Sequence, residues 1–283
     1  MCYNSVTESK RSMIMVDFKY KEKYNCADLV DIMELLRKPG GCPWDAEQTH
    51  RSIKKSLIEE TYEVIEAINK DDKTLLQEEL GDLLMQVVFH AQMEREDGVF
   101  DFDDVADGVC KKLIIRHPHV FGDVTAETVD DVLTNWDAIK MQTKGQKTAS
   151  DSMMSVPREL PALMRAAKLQ KKAADVGFDW DNVQGAVDKL YEEIGELKEA
   201  IAEGDKSHID EEFGDLLFSA VNVSRFVKID AEESLTSASD KFLNRFTEVE
   251  RKAKERAIDM TEAGIDVLDG LWDEVKAEQK NCI

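Results

Sequence analysis

The sequence contains two copies of one pattern. LIEETYEVIEAI at residues 57–68 is matched by LYEEIGELKEAI at 190–201, and EELGDLL at 78–84 is matched by EEFGDLL at 211–217. Both pairs lie 133 residues apart, so the two blocks keep the same separation in each copy. A repeat of this length holds several secondary-structure elements, and we expect the chain to fold twice into the same kind of module.

Weaker matches extend the repeat over most of the chain. GCPWD precedes the first copy and GFDWD precedes the second, while WDAIK late in the first copy is matched by WDEVK late in the second. We therefore predict one module at residues 26–141 and another at residues 158–283.

Two segments lie outside these modules. Residues 142–157 are polar, rich in small residues and end in a proline, which is typical of a linker. Residues 1–25 carry a few basic residues but lack the apolar core of a signal peptide. We interpret them as an N-terminal extension.

Apolar residues recur with the period of a helix. In one helix, ended by Asp97-Gly98, the residues expected to face inward are Leu76, Leu80, Leu83, Leu84, Val87 and Ala91. A preceding helix is predicted to end near Asn69. A following helix, from Phe102 to Ile115, is predicted to bury Phe102, Val105, Val109 and Leu113. Because the alternating pattern of strands is missing from the sequence, we predict an all-α fold with four or five bundled helices per module.

Composition excludes several classes of function. The net charge of −22 argues against binding to duplex nucleic acid, which requires a basic surface. The sequence has no run of about 18 apolar residues, so no membrane span is expected. The five cysteines include no C-x-x-C pair, which favours reduced thiols and a cytoplasmic location over zinc or a disulfide framework.

Acidic residues three positions apart share one face of a helix. Two such pairs on neighbouring helices form one predicted cluster, and the repeat produces it twice. The first cluster is Glu60, Glu63, Glu79 and Asp82, and the second is Glu193, Glu196, Glu212 and Asp215. A single pair of this kind is common on solvated helix faces. The duplicated set, made only of oxygen ligands, favours a site for Mg²⁺, with Mn²⁺ as the alternative.

Basic and aromatic residues also recur in both copies. Lys112 with Arg116, and Lys241 with Arg245, have the spacing of a phosphate clamp on a helix, although an exposed basic pair has the same spacing. The pairs Trp136 with Lys140 and Trp272 with Lys276 are compatible with base stacking or with core packing of the tryptophans. His117 and His119 have no counterpart in the second copy and are expected in a turn that ends a helix.

Together these motifs resemble the MazG family of nucleoside triphosphate pyrophosphohydrolases in its form with two tandem modules. The resemblance covers about residues 26–280 and is carried by E-E-x-x-E followed by E-x-x-D in both halves, with GCPWD, RHPHVF and WDEVK. It implies the all-α fold of that family, a homodimer, and Mg²⁺-dependent hydrolysis of nucleoside and deoxynucleoside triphosphates. The products would be the monophosphate and pyrophosphate, formed by attack of a metal-activated water on the α-phosphorus.

The resemblance also implies roles for residues. In the second module it makes Glu193, Glu196, Glu212 and Asp215 metal ligands and catalytic residues, with the first cluster as the corresponding metal ligands. The nucleotide contacts it implies are Lys189, Leu190, Tyr191, Glu192, Glu193, Lys241, Arg245, Trp272 and Lys276. Lys112, Arg116, Trp136 and Lys140 are their counterparts in the first module.

We expect the second module to carry most of the turnover. Its chain from Arg245 to Trp272 spans 27 residues, against 20 from Arg116 to Trp136, and Gly195 replaces the bulkier Tyr62. A non-catalytic acidic scaffold or cation-binding protein is the alternative. A ferritin-like di-iron protein is less compatible, because it would require Glu-x-x-His pairs.

Overall fold

The structure is a computed structural model that describes residues 18–126, 128, 131, 132, 136, 139 and 148–280. These residues form helices and contain no strand, so the predicted all-α class is confirmed. The chain divides into two compact units, residues 1–139 and 140–283. Across the described residues, none of the helices combines the length and the apolar character needed to cross a membrane.

The first unit contains six helices among its described residues. They are α1 (Cys26–Arg37), α2 (Pro43–Glu47), α3 (Lys54–Asn69), α4 (Lys73–Glu96), α5 (Phe102–Arg116) and α6 (Pro118–Phe121). The centre of this unit is a hairpin of α3 and α4, whose short connection ends at Asp72. The Asp72 side chain accepts hydrogen bonds from the backbone of Thr74 and Leu75, which satisfies free N–H groups at the start of α4.

The second unit contains another six helices in its described part. They are α7 (Ala149–Met154), α8 (Ala162–Ala174), α9 (Val183–Glu203), α10 (Lys206–Phe226), α11 (Ala231–Glu255) and α12 (Ile265–Lys280). The corresponding hairpin is formed by α9 and α10. Gly204 ends α9 at a φ of 76°, a conformation that glycine adopts without strain, and Asp205 then caps α10.

The helix ends agree closely with the sequence. Helix α3 ends at Asn69, and α4 ends where Asp97 and Gly98 follow it. His117 follows the last residue of α5, as predicted, whereas His119 lies within the short helix α6 and not in a turn. Helix α7 lies inside the segment predicted as a linker, where the side chains of Lys172 and Ser152 connect it to α8. The boundaries of the modules stay predictions.

The predicted inward faces are partly wrong. On α4, Leu80 and Val87 are exposed, whereas the core of the first unit is formed by Met33, Ile53, Val88, Phe89 and Met93. The burial shifts because α1 packs against the later turns of α4, leaving the earlier apolar residues uncovered.

On α5 only the first residue of the predicted face packs against the core. Phe102 contacts the core cluster, while Val105, Val109 and Leu113 are exposed. Among the described elements, α5 packs chiefly against α4 and α6, which leave this stripe uncovered.

The core of the second unit has two parts. Ala186 and Ala200 on α9 and Val221 on α10 are fully or almost fully buried in the hairpin. A second cluster joins α11 to α12 and consists of Val249, Ala253, Leu271 and Val275. Trp272 packs against this cluster, which fixes the position of its indole.

Candidate metal and nucleotide site

The α9–α10 hairpin brings three carboxylates of the second unit together. One ligand oxygen each from Glu193, Glu196 and Glu212 lies within 4.8 Å of the other two. Glu193 is only 4% exposed, so its charge is held away from solvent. Asp215, the fourth predicted ligand, is exposed and falls outside this group.

The α3–α4 hairpin repeats the arrangement in the first unit. Here the three carboxylates whose oxygens lie within 4.8 Å of one another are Glu60, Glu79 and Asp82. Glu63, the fourth predicted ligand, is outside the group but near enough to act on the pKa of both glutamates. Each hairpin therefore brings together three of its four predicted ligands.

Repulsion among the carboxylates is visible in the first unit. Burial raises the pKa of Glu60, and the charges of Asp82 and Glu63 raise it further. Burial also raises the pKa of Glu79, with added repulsion from Glu63 and Glu78. A cation placed among these oxygens would relieve both effects.

In the second unit a lysine ammonium lies beside the carboxylates. Lys189 Nζ lies 2.8 Å from Glu193 Oε1 and 2.9 Å from Glu192 Oε1. These hydrogen bonds to Glu192 and Glu193 raise the pKa of Lys189. Lys189 was predicted only as a nucleotide contact, although its position four residues before Glu193 would have indicated the ion pair.

One member of the second cluster and one neighbouring histidine also have shifted pKa values. Burial raises the pKa of Glu196, against the opposing charge of Lys189. His208 Nε2 lies 3.2 Å from Glu212 Oε1, and its hydrogen bond to Glu203 is the main cause of the raised pKa of His208. His208 was missed by the sequence analysis because the first copy has a leucine, Leu75, at the matching position.

An arginine faces a tryptophan in each unit. The Arg116 guanidinium carbon lies 5.2 Å from the centre of the Trp136 ring, and that of Arg245 lies 5.9 Å from the centre of the Trp272 ring. Trp272 also contacts Phe242, with ring centres 5.3 Å apart. Trp272 therefore packs against the core of its unit, one of the two alternatives raised from the sequence, and base stacking at Trp272 stays a prediction.

The remaining predicted contacts are mostly at the surface. Lys112, Lys241 and Tyr191 are exposed, and Leu190 is partly buried on α9. Lys276 Nζ lies 3.1 Å from Asp273 Oδ1. Lys140 lies outside the described residues.

Comparison with known proteins agrees with the duplicated pattern. A family model described as the MazG nucleotide pyrophosphohydrolase domain matches residues 48–121 and 182–250. The first matched segment contains the carboxylates of the α3–α4 hairpin, and the second contains those of the α9–α10 hairpin.

Two similar curated proteins match along almost their whole length. The chain is 46% identical over 256 residues to the nucleoside triphosphate pyrophosphohydrolase of Escherichia coli (strain K12), which covers 89% of this chain and 97% of that protein. It is 46% identical over 249 residues to the nucleoside triphosphate pyrophosphohydrolase/pyrophosphatase MazG of Thermotoga maritima, covering 88% and 94%. It is also 47% identical over 252 residues to the uncharacterized protein YabN of Bacillus subtilis, covering 88% of this chain and 51% of YabN.

Proposed function

The chain belongs to the MazG family of nucleotide pyrophosphohydrolases, and on that premise we propose how its two units handle nucleoside triphosphates. The enzyme hydrolyses nucleoside and deoxynucleoside triphosphates to the monophosphate and pyrophosphate, with Mg²⁺ held by the carboxylate clusters. The observation that carries this proposal is the convergence of Glu193, Glu196 and Glu212 on one point of the α9–α10 hairpin.

The donor set fits a hard divalent cation. The three converging groups of each hairpin are carboxylates, and oxygen ligands suit Mg²⁺ and Mn²⁺ better than softer metals. The raised pKa of Glu60 supports the same assignment, since burial and then the charges of Asp82 and Glu63 disfavour its carboxylate form, and a bound cation would favour that form. When bound, Mg²⁺ would supply neutralisation of the phosphate charge and a coordinated water of lowered pKa.

The chain's own residues would position the substrate. In the second unit Glu193, Glu196 and Glu212 hold the metal, with Asp215 as a further ligand from the same helix. Lys189 is the ammonium already placed beside this cluster, and it is available to a phosphate once a metal takes its place at Glu193.

Basic and aromatic side chains complete the nucleotide contacts. Lys241 and Arg245 would bind phosphate oxygens from α11, and charge that develops there in the transition state would be stabilised. Trp272, held by the core and by Arg245, would contact the nucleoside together with Lys276.

We further propose a homodimer in a reducing cytoplasm. Leu235, Phe242 and Phe246 are exposed on one face of α11, and a second copy would cover such an apolar stripe. Cys26, Cys42 and Cys110 are free thiols, which suits a reducing compartment.

Product analysis tests the activity directly. Purified protein is incubated with each nucleoside triphosphate in MgCl₂ or in EDTA, and the products are separated by anion-exchange chromatography. Monophosphate and pyrophosphate are expected with Mg²⁺ and neither in EDTA. Diphosphate and orthophosphate would place the attack at the γ-phosphorus, and turnover undiminished by EDTA would overturn the metal site. A catalytically silent protein would favour the cation-binding scaffold.

A further inference from the structure

The two carboxylate hairpins differ in the side chains that flank their acidic clusters. In the second unit His208 lies beside Glu212, whereas the repeat places Leu75 at the matching position of the first unit. Glu203, which contacts His208 from the other side, is matched by Lys70. The acid–histidine pair is therefore an addition of the second copy, and the chemistry that the two copies share does not explain it.

His208 connects two carboxylates across the turn of the hairpin. Its Nδ1 lies 3.1 Å from Glu203 Oε2, and its Nε2 lies 3.2 Å from Glu212 Oε1. Glu203 is the last residue of α9, while His208 and Glu212 belong to α10. Ionised carboxylates only accept hydrogen bonds, so both ring nitrogens of His208 are placed to donate. The three side chains form a continuous series from the turn to the acidic cluster.

Glu212 is the member of the converging group that α10 contributes. Its side chain is only 13% exposed, and one of its oxygens meets those of Glu193 and Glu196. Glu193 is already paired with Lys189 at 2.8 Å. Among the described residues, His208 is the basic side chain that pairs with Glu212. The orientation of the Glu212 carboxylate is therefore restrained by His208.

The local sequence explains why His208 reaches both carboxylates. His208 and Glu212 are four residues apart, so they lie on one face of α10. Gly204 turns the chain directly after Glu203, and the Asp205 side chain accepts a hydrogen bond from the backbone of Ser207 at 2.9 Å. This short, capped connection keeps Glu203 next to the first turn of α10.

The charge of His208 is balanced by Glu203. An unbalanced positive charge beside Glu212 would repel a divalent cation, but the Glu203 carboxylate lies on the far side of the ring and makes the pair neutral as a unit. Lys189 differs, because it lies within 4.0 Å of two members of the cluster, Glu193 and Glu196. Lys189 is thus among the oxygens that a cation would contact, whereas His208 holds one carboxylate from outside.

We propose that His208, held by Glu203, is a positioning residue that orients Glu212 for the divalent cation of the second cluster. Partners of this kind fix the orientation of metal ligands, and losing one typically lowers metal affinity about 10- to 100-fold. The inference rests on the proposed Mg²⁺ site and adds the residues that prepare one of its ligands. It also assigns a role to the acid–histidine pair that distinguishes the second hairpin from the first.

Binding of Mn²⁺ to the full chain, without nucleotide, tests the proposal. Electron paramagnetic resonance measures free Mn²⁺ during a titration, and the two clusters are expected as two classes of site. Glu193→Gln and Glu60→Gln, which each remove a ligand, identify the class that belongs to each cluster. In His208→Leu, which copies the first unit, we expect the Mn²⁺ affinity of the second cluster to fall about tenfold or more. The first cluster serves as the internal reference and should keep its affinity.

Two further variants separate positioning from a loss of charge. His208→Gln keeps a side-chain N–H group near Glu212 and should recover most of the Mn²⁺ affinity. Lys206→Leu removes a positive charge from an exposed position of the same turn and should leave the affinity of both clusters unchanged. Side chains of His208 and Glu203 are 39% and 62% exposed, so their ion pair contributes little to stability and the variants should fold. Circular dichroism checks the fold of each one.

A double-mutant cycle tests the part played by Glu203. Glu203→Ala should lower the Mn²⁺ affinity of the second cluster in the wild-type background. It should cause no further loss in His208→Leu, because Glu203 acts through His208. Additive losses would show that Glu203 acts on the cluster independently.

The outcomes separate this inference from the proposed function. Unchanged or tighter Mn²⁺ binding in His208→Leu would overturn the positioning role, and so would equal losses in the leucine and glutamine variants or a wild-type chain that binds no Mn²⁺. Pyrophosphate release from nucleoside triphosphates, measured on the same samples, reports on the function itself. There the loss of turnover in His208→Leu should shrink as the Mg²⁺ concentration rises. Weakened Mn²⁺ binding in His208→Leu, with no hydrolysis by the wild-type chain, would leave the positioning role standing and refute the proposed function.

Discussion

The Lys189 ammonium lies 2.8 Å from Glu193 Oε1, so the most buried carboxylate of the second cluster already has a cation beside it. The first unit has Ser56 at the matching position, and its Glu60 carries a pKa raised by burial and by its acidic neighbours. The two copies therefore differ in how they offset carboxylate repulsion, although their acidic motifs are the same. A divalent cation that binds the second cluster would have to compete with the Lys189 ammonium.

Replacing Lys189 should separate metal binding from nucleotide binding. In Lys189→Ser, which copies the first unit, we expect Mg²⁺ to bind the second cluster more tightly because its competitor is gone. We also expect kcat/KM for nucleoside triphosphates to fall about tenfold or more, as a charge-assisted phosphate contact is lost. Mg²⁺ titrations followed by thermal unfolding, and steady-state rates, measure the two effects. The reciprocal Ser56→Lys should weaken the Mg²⁺ response of the first unit. Unchanged Mg²⁺ affinity in both variants would show that the ammonium does not compete.

Glutamine substitutions should rank the two units as catalysts. Glu193→Gln or Glu196→Gln removes a charged ligand of the second cluster, and we expect turnover to fall on the order of 10²-fold or more. Glu60→Gln and Glu63→Gln, at the matching positions, should reduce it less. The open space around Gly195, where the first copy has Tyr62, supports this order. Steady-state rates with circular dichroism as a check of folding decide it. Wild-type rates in the second-unit variants, with inactive first-unit variants, would reverse the ranking.

The helices and the acidic hairpins could be predicted because their signals are local. Asn69 and Asp97-Gly98 mark helix ends by their position after a periodic segment, and the backbone needs no distant residue to stop there. Carboxylates three residues apart share a face in any helix, so Glu193 and Glu196 were paired correctly from spacing alone.

The burial of side chains and the pairing of charges depended on contacts between residues far apart in the sequence. Val87 has a helical spacing that suits a core position, yet it is exposed because the packing of α1 favours Val88 and Phe89. The ion pair between Asp179 and Arg225 joins residues 46 positions apart, and no periodic pattern relates them. Periodicity identifies an apolar side of a helix but not the element that will cover it.

The uncovered helix faces lead to a test of the proposed homodimer. Phe242 is 58% exposed on α11, and Phe242→Glu would place a charge in an apolar interface, where it is costly. We expect the wild-type chain to have twice its 32.1 kDa mass by light scattering, and the variant to dissociate at micromolar concentration. Lys254→Glu, on an exposed position of the same helix, should stay dimeric. A wild-type protein that is monomeric at that concentration would rule out the homodimer.

The histidine pair of the first unit predicts a pH dependence of stability. His50 Nδ1 lies 2.7 Å from His90 Nδ1, and His50 Nε2 lies 2.9 Å from Glu94 Oε1. Burial lowers the pKa of His90 below its usual 6.5, and the charge of His50 lowers it further. The unfolded chain therefore takes up a proton at His90 at a higher pH than the folded chain does. The stability that His90 contributes is present above pH 6.5 and is lost as the pH falls through its folded pKa.

His90→Gln should therefore flatten the acid side of the stability profile. Chemical denaturation at pH 8 and pH 5.5 gives the free energy of unfolding, and we expect the wild-type value to decrease more between these conditions than the variant value. Glu96 does not affect the comparison between pH 8 and pH 5.5, because Arg37 lowers the pKa of Glu96 from 4.5 and the stability that Glu96 contributes is lost at lower pH.

His208→Gln is the contrasting variant. The pKa of His208 is raised, chiefly by its hydrogen bond to Glu203, so His208 contributes stability below pH 6.5 that is lost as the pH rises through its folded pKa. Removing it should make the acid-side decrease steeper, and identical profiles for both variants would contradict the assignment of these shifts.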